Sequence, residues 1–248
     1  MFDKNILISQ CRILLEAYKK GELGYMKMPE DEHPVFEDSQ KELRLTYFTL
    51  PMALNYQRNS YTLRESALQT FLDPQTQDVF DVKLCANMSE ETLRQKLMKY
   101  KIALQPNKHI STRKTIATTT AQQRGTIEDM FEALNYDVLR LQACIQGSHK
   151  KGFPYLSGPK IFHYRLLVMQ SYGGLVLKNS DHIQIAPDTH VTKCSIKLGV
   201  ITEQEAETLS KDLISMRRRE VLQGSGINPI DMHSPLRFWS RNNFVFKL

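Results

Sequence analysis

Two short stretches hold residue types at spacings that can do covalent chemistry. In Phe153-Pro-Tyr-Leu-Ser-Gly-Pro-Lys160 a lysine follows a loop whose prolines and glycine force a tight turn, and an apolar run starts at once behind it. An amine at the mouth of such a loop, beside a helix start and partly shielded from water, is held nearer to neutrality. A neutral amine is a nucleophile that can form a Schiff base. The backbone N–H groups of a tight hairpin leading into a helix also suit a phosphate. In Pro187-Asp-Thr-His-Val-Thr-Lys-Cys-Ser-Ile-Lys-Leu-Gly199, Asp188 stands where a helix begins. As an N-cap it satisfies free amides, for about 1 kcal/mol. A capping carboxylate is also held rigidly, as a group that offsets developing positive charge must be. By residue type alone Lys160 is first a surface lysine, Asp188 first a cap, and His190 first a hydrogen-bonding residue of the fold.

The elements that position these segments read as helices almost throughout. Apolar spacing predicts a helix over 3–20 ended by Gly21, helices over 43–56 and 62–71 broken around Asn59-Ser60, and one from Ser89 to about Leu104. Thr126 starts a helix that runs through Met130, Leu134, Val138, Leu141 and Ile145 to Gly147. Further helices span 160–172, 188–198, 202–222 from a Thr202/Glu205 capping box, and about 229–240. Residues 24–39, with two prolines and the acids Glu30, Asp31 and Glu32, read as an exposed loop, and 106–109 as a turn. The arginine run at 216–220 reads as a solvated face. The four threonines of 115–120 favour a strand by propensity, but their helical neighbours outweigh them. An all-α fold follows.

Composition narrows the function classes. The 248 residues suffice for one large domain or two small ones sharing an interface, and 41% hydrophobic content excludes disorder as the dominant state. Thirty-three Lys and Arg against 27 Asp and Glu leave a charge of +6, which favours an anionic partner such as nucleic acid or a membrane surface. Apolar runs such as Leu166 to Met169 fall far short of the roughly 20 residues of a membrane span. The first fifteen residues carry Asp3, Lys4 and Arg12 with no small-residue cleavage site behind them, and read as an amphipathic helix, not a signal peptide. Cys11, Cys85, Cys144 and Cys194 lie too far apart for a metal knot or a small disulfide scaffold, so reduced thiols are expected.

Taken together, the two chemical segments resemble the helix-hairpin-helix DNA glycosylases, the family of endonuclease III and the 8-oxoguanine glycosylases. Asp188, Thr189, His190 and Val191 match the family's Asp-Thr-His-Val run, followed by the basic Lys193 and Lys197 and the closing Leu198-Gly199. In the hairpin Gly158 and Lys160 match, whereas the usual Pro-Gly before them reads Tyr155-Leu156. The interval from Lys160 to Asp188 is longer than is usual in endonuclease III; archaeal 8-oxoguanine glycosylases tolerate both departures. A third stretch, Thr49-Leu-Pro-Met-Ala-Leu-Asn-Tyr-Gln-Arg-Asn59, resembles the family's early helix ending in a Gln-containing turn.

The resemblance implies two helical subdomains in one unit. An inner one spans about 43–145; the second, made of 1–42 and 146–248, carries the hairpin. It also implies a DNA glycosylase of base excision repair, bifunctional with AP lyase activity, in which the Lys160 amine attacks the sugar and expels a damaged base, oxidised bases among the candidates. Asp188 stabilises the sugar cation. Gly158, His190 and Lys193 contact DNA, while Gln57, Arg58 and Asn59 enter the duplex, Arg58 facing the orphan base. Phe238 and Trp239 either line the base pocket, where flipped bases stack on aromatics, or belong to the core. The expected partner is double-stranded DNA with a damaged base, bound by a monomer in the cytoplasm at the nucleoid, or in the nucleus of a eukaryote, with no membrane involved. Endonuclease III holds an iron–sulfur cluster on four closely spaced C-terminal cysteines, and here no cysteine follows Cys194. No cofactor or metal site is therefore expected, beyond a monovalent cation at the hairpin. Three other readings stay open: a non-catalytic DNA-binding relative, an N-glycosidase acting on a free nucleoside or nucleotide, and a structural helical protein.

Overall fold

The structure is a computed structural model describing residues 3–24 and 27–248, and among these no strand occurs; the sole ladder contact is an isolated bridge between Asp137 and Lys178. Thirteen α-helices follow in chain order: α1 (Lys4–Lys19), α2 (Lys41–Ala53), α3 (Ser60–Leu72), α4 (Val82–Asn87), α5 (Glu90–Lys99), α6 (Pro106–Gln123), α7 (Ile127–Ala133), α8 (Val138–Gln142), α9 (Pro159–Ser171), α10 (Thr189–Lys197), α11 (Glu203–Thr208), α12 (Lys211–Leu222) and α13 (His233–Arg241). The all-α fold is as expected. Side-chain caps account for most helix starts: Asp3, Asn59, Asp81, Ser89, Thr126, Asp137, Asp188, Thr202 and Ser210 each accept an amide of the first turn.

Four element boundaries differ from the sequence reading, each for a local reason. Residues 106–109 are the first turn of α6, because a proline at the first helical position gives up no hydrogen bond. The helix expected over 127–147 breaks where Asn135 and Tyr136 take left-handed φ of 58° and 54°; Asp137 then caps α8, and a π-helical turn, Ala143–Ser148, follows. Ser210 ends the run expected over 202–222 and starts α12 afresh. The helix from Ser89 stops at Lys99, and Lys101 turns left-handed at φ 58°.

Two compact units result: an inner unit, Lys27–Asn179, and a terminal unit made of Met1–Met26 with Ser180–Leu248. The division thus falls elsewhere than at 43 and 145, and the hairpin belongs with the inner unit. Polar contacts explain the shift. Glu30, in the acid run read as an exposed loop, is 2% exposed; it pairs with Arg64 at 2.9 Å and accepts the Tyr164 hydroxyl at 2.8 Å. Tyr172 donates to Asp31 at 2.6 Å, and α9 packs on α2. These contacts fasten both 27–42 and α9 to the central helices.

The inner unit is built around α2, whose residues 45–53 are all buried. A helix apolar on every side needs neighbours on every side, and α3, α6, α7 and α9 supply them. Tyr47, Phe71 and Phe80 pack with ring centroids 5.4–5.5 Å apart, each such pair worth about 0.5–1.5 kcal/mol beyond the area it buries. In the terminal unit α1 buries Leu7, Cys11, Leu14 and Ala17, one stripe at helical spacing, and packs on α12 and α13.

The Glu30–Arg64 pair yields a stability test. Glu30→Ala leaves a buried guanidinium uncompensated and should cost about 3–5 kcal/mol, whereas the double change Glu30→Leu with Arg64→Met should recover most of it. Urea unfolding measures both; a single-variant loss under about 1 kcal/mol would show that the pair does not hold this segment.

Candidate functional site

The hairpin is shaped by two buried anchors and one strained residue. Phe153 and Leu156 plug into the inner unit, and between them Tyr155 adopts φ 63°, a left-handed conformation that glycine takes without strain. The amides of Leu156, Ser157 and Gly158 are consumed within the turn, donating to the carbonyls of Pro154, Phe153 and Tyr155. Gly158 has an ordinary φ of −67°; what it provides is close approach, since a Cβ there would sit 3.3 Å from the Tyr155 carbonyl. The phosphate cradle expected of the whole hairpin therefore narrows to the Lys160 and Ile161 amides, which have no acceptor among the described residues, at the start of α9. Lys160 is the second residue of α9, is exposed, and makes no hydrogen bond or ion pair with a described residue. The shielding expected of it is not supplied within its own unit.

The turn after α2 leaves two of its three predicted residues exposed, Gln57 and Asn59. Gln57 is exposed at φ 50°. Arg58 instead turns inward and donates to the carbonyls of Ile102 at 2.8 Å and Lys101 at 3.1 Å, and burial lowers its pKa. Its guanidinium is spent on the fold, so the role of facing an orphan base is not available to it in this arrangement. Asn59 caps α3 through the amides of Tyr61 and Thr62.

Turn and hairpin meet through residues that the sequence did not single out. The rings of Tyr56 and Tyr155 lie 5.5 Å apart, and the Lys108 amine sits 4.0 Å over the first and 5.1 Å over the second. His109 holds the neighbouring loop, its Nδ1 accepting the Leu104 amide at 3.1 Å. Contacts across such separations leave no periodic trace in a sequence.

In the terminal unit Asp188 caps α10, its Oδ1 accepting the His190 and Val191 amides at 3.0 Å each. No described group donates a hydrogen bond to its Oδ2. Arg218, from the run read as a solvated face, is buried with Cys11, Cys194 and Asp188 as its charged or ionisable surroundings, and burial pushes its pKa down to about 10. Arg217 and Arg219 pair with Glu205 and Asp181. Arg218 falls on the stripe of Ile214, Val221 and Leu222, a spacing that marks it as inward-facing. His190 hydrogen-bonds Ser240 at 3.1 Å, and burial lowers its pKa; Lys193 is exposed. Phe238 and Trp239 are 5% and 2% exposed, and the indole donates to the Phe246 carbonyl at 2.8 Å. Both sit in the core.

All four cysteines are free, buried thiols, and burial raises those of Cys11 and Cys194 to about 11 and 12. Among the described residues no cluster of three His, Cys, Asp or Glu could hold a metal, and no helix is long and apolar enough to cross a membrane. No family model matches the chain, and no curated protein or solved structure matches it either.

Two expectations follow. At Tyr155 both Ala and Gly remove the ring, but only Gly relieves the left-handed strain, so Tyr155→Gly should be the more stable by about 1 kcal/mol in urea unfolding. Equal stabilities would place Tyr155 outside the left-handed region. His109 accepts hydrogen bonds through Nδ1, and burial, then the charges of Arg58 and Lys108, lower its pKa below the ordinary 6.5. Its contribution to stability is complete above that value and is lost as pH falls through the depressed pKa. An NMR titration placing His109 at or above 6.5 would refute this.

Proposed function

We propose that the chain is a DNA glycosylase of the helix-hairpin-helix type that removes a damaged base from duplex DNA, with Lys160 as the amine of an accompanying lyase step. The observation that carries this reading is the Tyr56–Tyr155 contact: two segments that resemble the family in separate parts of the sequence, the Gln57 turn and the hairpin, meet in one unit. A base-filling side chain and a phosphate-gripping loop act on one duplex only if they are held together. The basic balance of the chain agrees with such a partner.

The Lys160 amine, once deprotonated, forms a bond to the sugar C1′ as the bond from C1′ to the base breaks; the electron pair leaves with the base, which takes up a proton. Ring opening gives an iminium, and loss of a proton from C2′ expels the 3′ phosphate and nicks the strand. Asp188, fixed through Oδ1 and with Oδ2 not engaged in a hydrogen bond, offsets the positive charge that develops on the sugar. Substrate itself must exclude the water that surrounds Lys160 in its own unit. That exposure favours one second reading, a DNA-binding relative without lyase chemistry.

Two variants separate these readings on a panel of lesion-bearing duplexes. Lys160→Gln should abolish nicking and borohydride trapping with folding and affinity retained; a persisting adduct would move the nucleophile elsewhere. Asp188→Asn keeps a cap acceptor, so it should cost under about 1 kcal/mol of stability, yet slow base excision about 100-fold or more. If excision is unchanged, Asp188 is a cap alone. If wild-type protein binds duplexes but excises no base, the non-catalytic reading stands.

A further inference from the structure

α13 divides its residues sharply. Leu236, Phe238, Trp239 and Ser240 are buried, while Arg237 and Arg241, four residues apart, share the half-buried edge. The hydrogen bond between His190 and Ser240 pins the start of α10 beside that edge. Along α10, Lys193 and Lys197 follow His190 on the same helical face, and the Lys197 amine reaches the ring of Phe244, just past α13, at 5.7 Å. Neither helix contains an acidic residue, and Asp188, the acid that caps α10, is occupied through Oδ1 by that helix's own amides. Arg237 adds a second sign of an absent partner: its Nε is buried and has no hydrogen-bond acceptor. Around His190, whose pKa burial lowers and the charge of Asp188 raises, Arg241, Arg237 and Lys193 each add a smaller opposition to protonation.

We propose that the adjoining edges of α10 and α13 form a strip that binds the phosphodiester backbone of duplex DNA, with Arg237 and Lys193 as direct phosphate ligands. This rests on the DNA-binding reading above and adds the C-terminal helix to the interface. Arg237 suits the task because a guanidinium fork matches two phosphate oxygens at once. A strip of cations on helices that carry no acid of their own recognises backbone charge and not base identity, so it acts on damaged and undamaged duplex alike.

The test is the salt dependence of binding to a labelled undamaged duplex, followed by anisotropy between about 50 and 200 mM salt. Arg237→Gln and Lys193→Gln should each reduce the slope of log K against log salt by about one, and the double variant by about two. Lys211→Gln, outside the strip on α12, should leave it unchanged. Borohydride trapping at saturating lesion duplex should match wild type in Lys211→Gln. If Arg237→Gln melts early, the exposed Lys193 carries the test alone. Slopes equal to wild type in folded variants overturn the strip while leaving the glycosylase reading intact. Wild-type protein without salt-dependent duplex binding overturns both.

Discussion

Burial of α2 on every side governs the inner unit. Residues 45–53 leave that helix no solvent face, so its neighbours must close around it and its two ends become the places where the chain can reach outward. At the N-terminal end Glu42 accepts the amides of Ile127 and Glu128 and thereby caps α7. At the other end the chain leaves through the turn that exposes Gln57, and Arg58 secures that turn on the carbonyls of residues 101 and 102. What projects from the turn is thus decided by a helix whose residues 45–53 are all shut off from solvent.

Buried arginines are a recurrent solution here, and each is compensated differently. Arg64 has a carboxylate, Glu30. Arg113 has the Val79 carbonyl. Arg165, pushed down to about 10 by burial, has the Thr49 hydroxyl, the face of Phe131 and the charge of Glu42. Arg218 has two thiols nearby, with the charge of Asp188 acting more weakly. Removing a partner from such a group costs far more than the pair contributes, because the remaining charge stays desolvated.

The fold was legible wherever a local rule acts alone. Caps such as Ser89, Thr126, Asp188 and the Thr202–Glu205 box are written in neighbouring residues, and the structure places them as the sequence indicates. Failure came where distant residues decide. Nothing near Glu30 announces that Arg64 and Tyr164 will bury it, and nothing near Arg58 announces two carbonyls beyond α5. The strained Tyr136 and Tyr155 were invisible for another reason: bulky residues are poor indicators of left-handed backbone, which glycine usually marks. Of the candidate site, the placement of Lys160 and Asp188 on helix starts was readable; the cluster of Tyr56, Lys108 and Tyr155 was not.

The two prolines of the hairpin have a kinetic meaning. Pro154 and Pro159 have φ fixed by their own rings, and Phe153 and Leu156 are locked in the interior, so the loop has little freedom left to lose. A ligand that meets a loop already in its final shape incurs little ordering entropy on binding. Encounter rates then depend on diffusion and long-range charge, and changes within the loop are felt in how long the complex lasts and not in how often it forms.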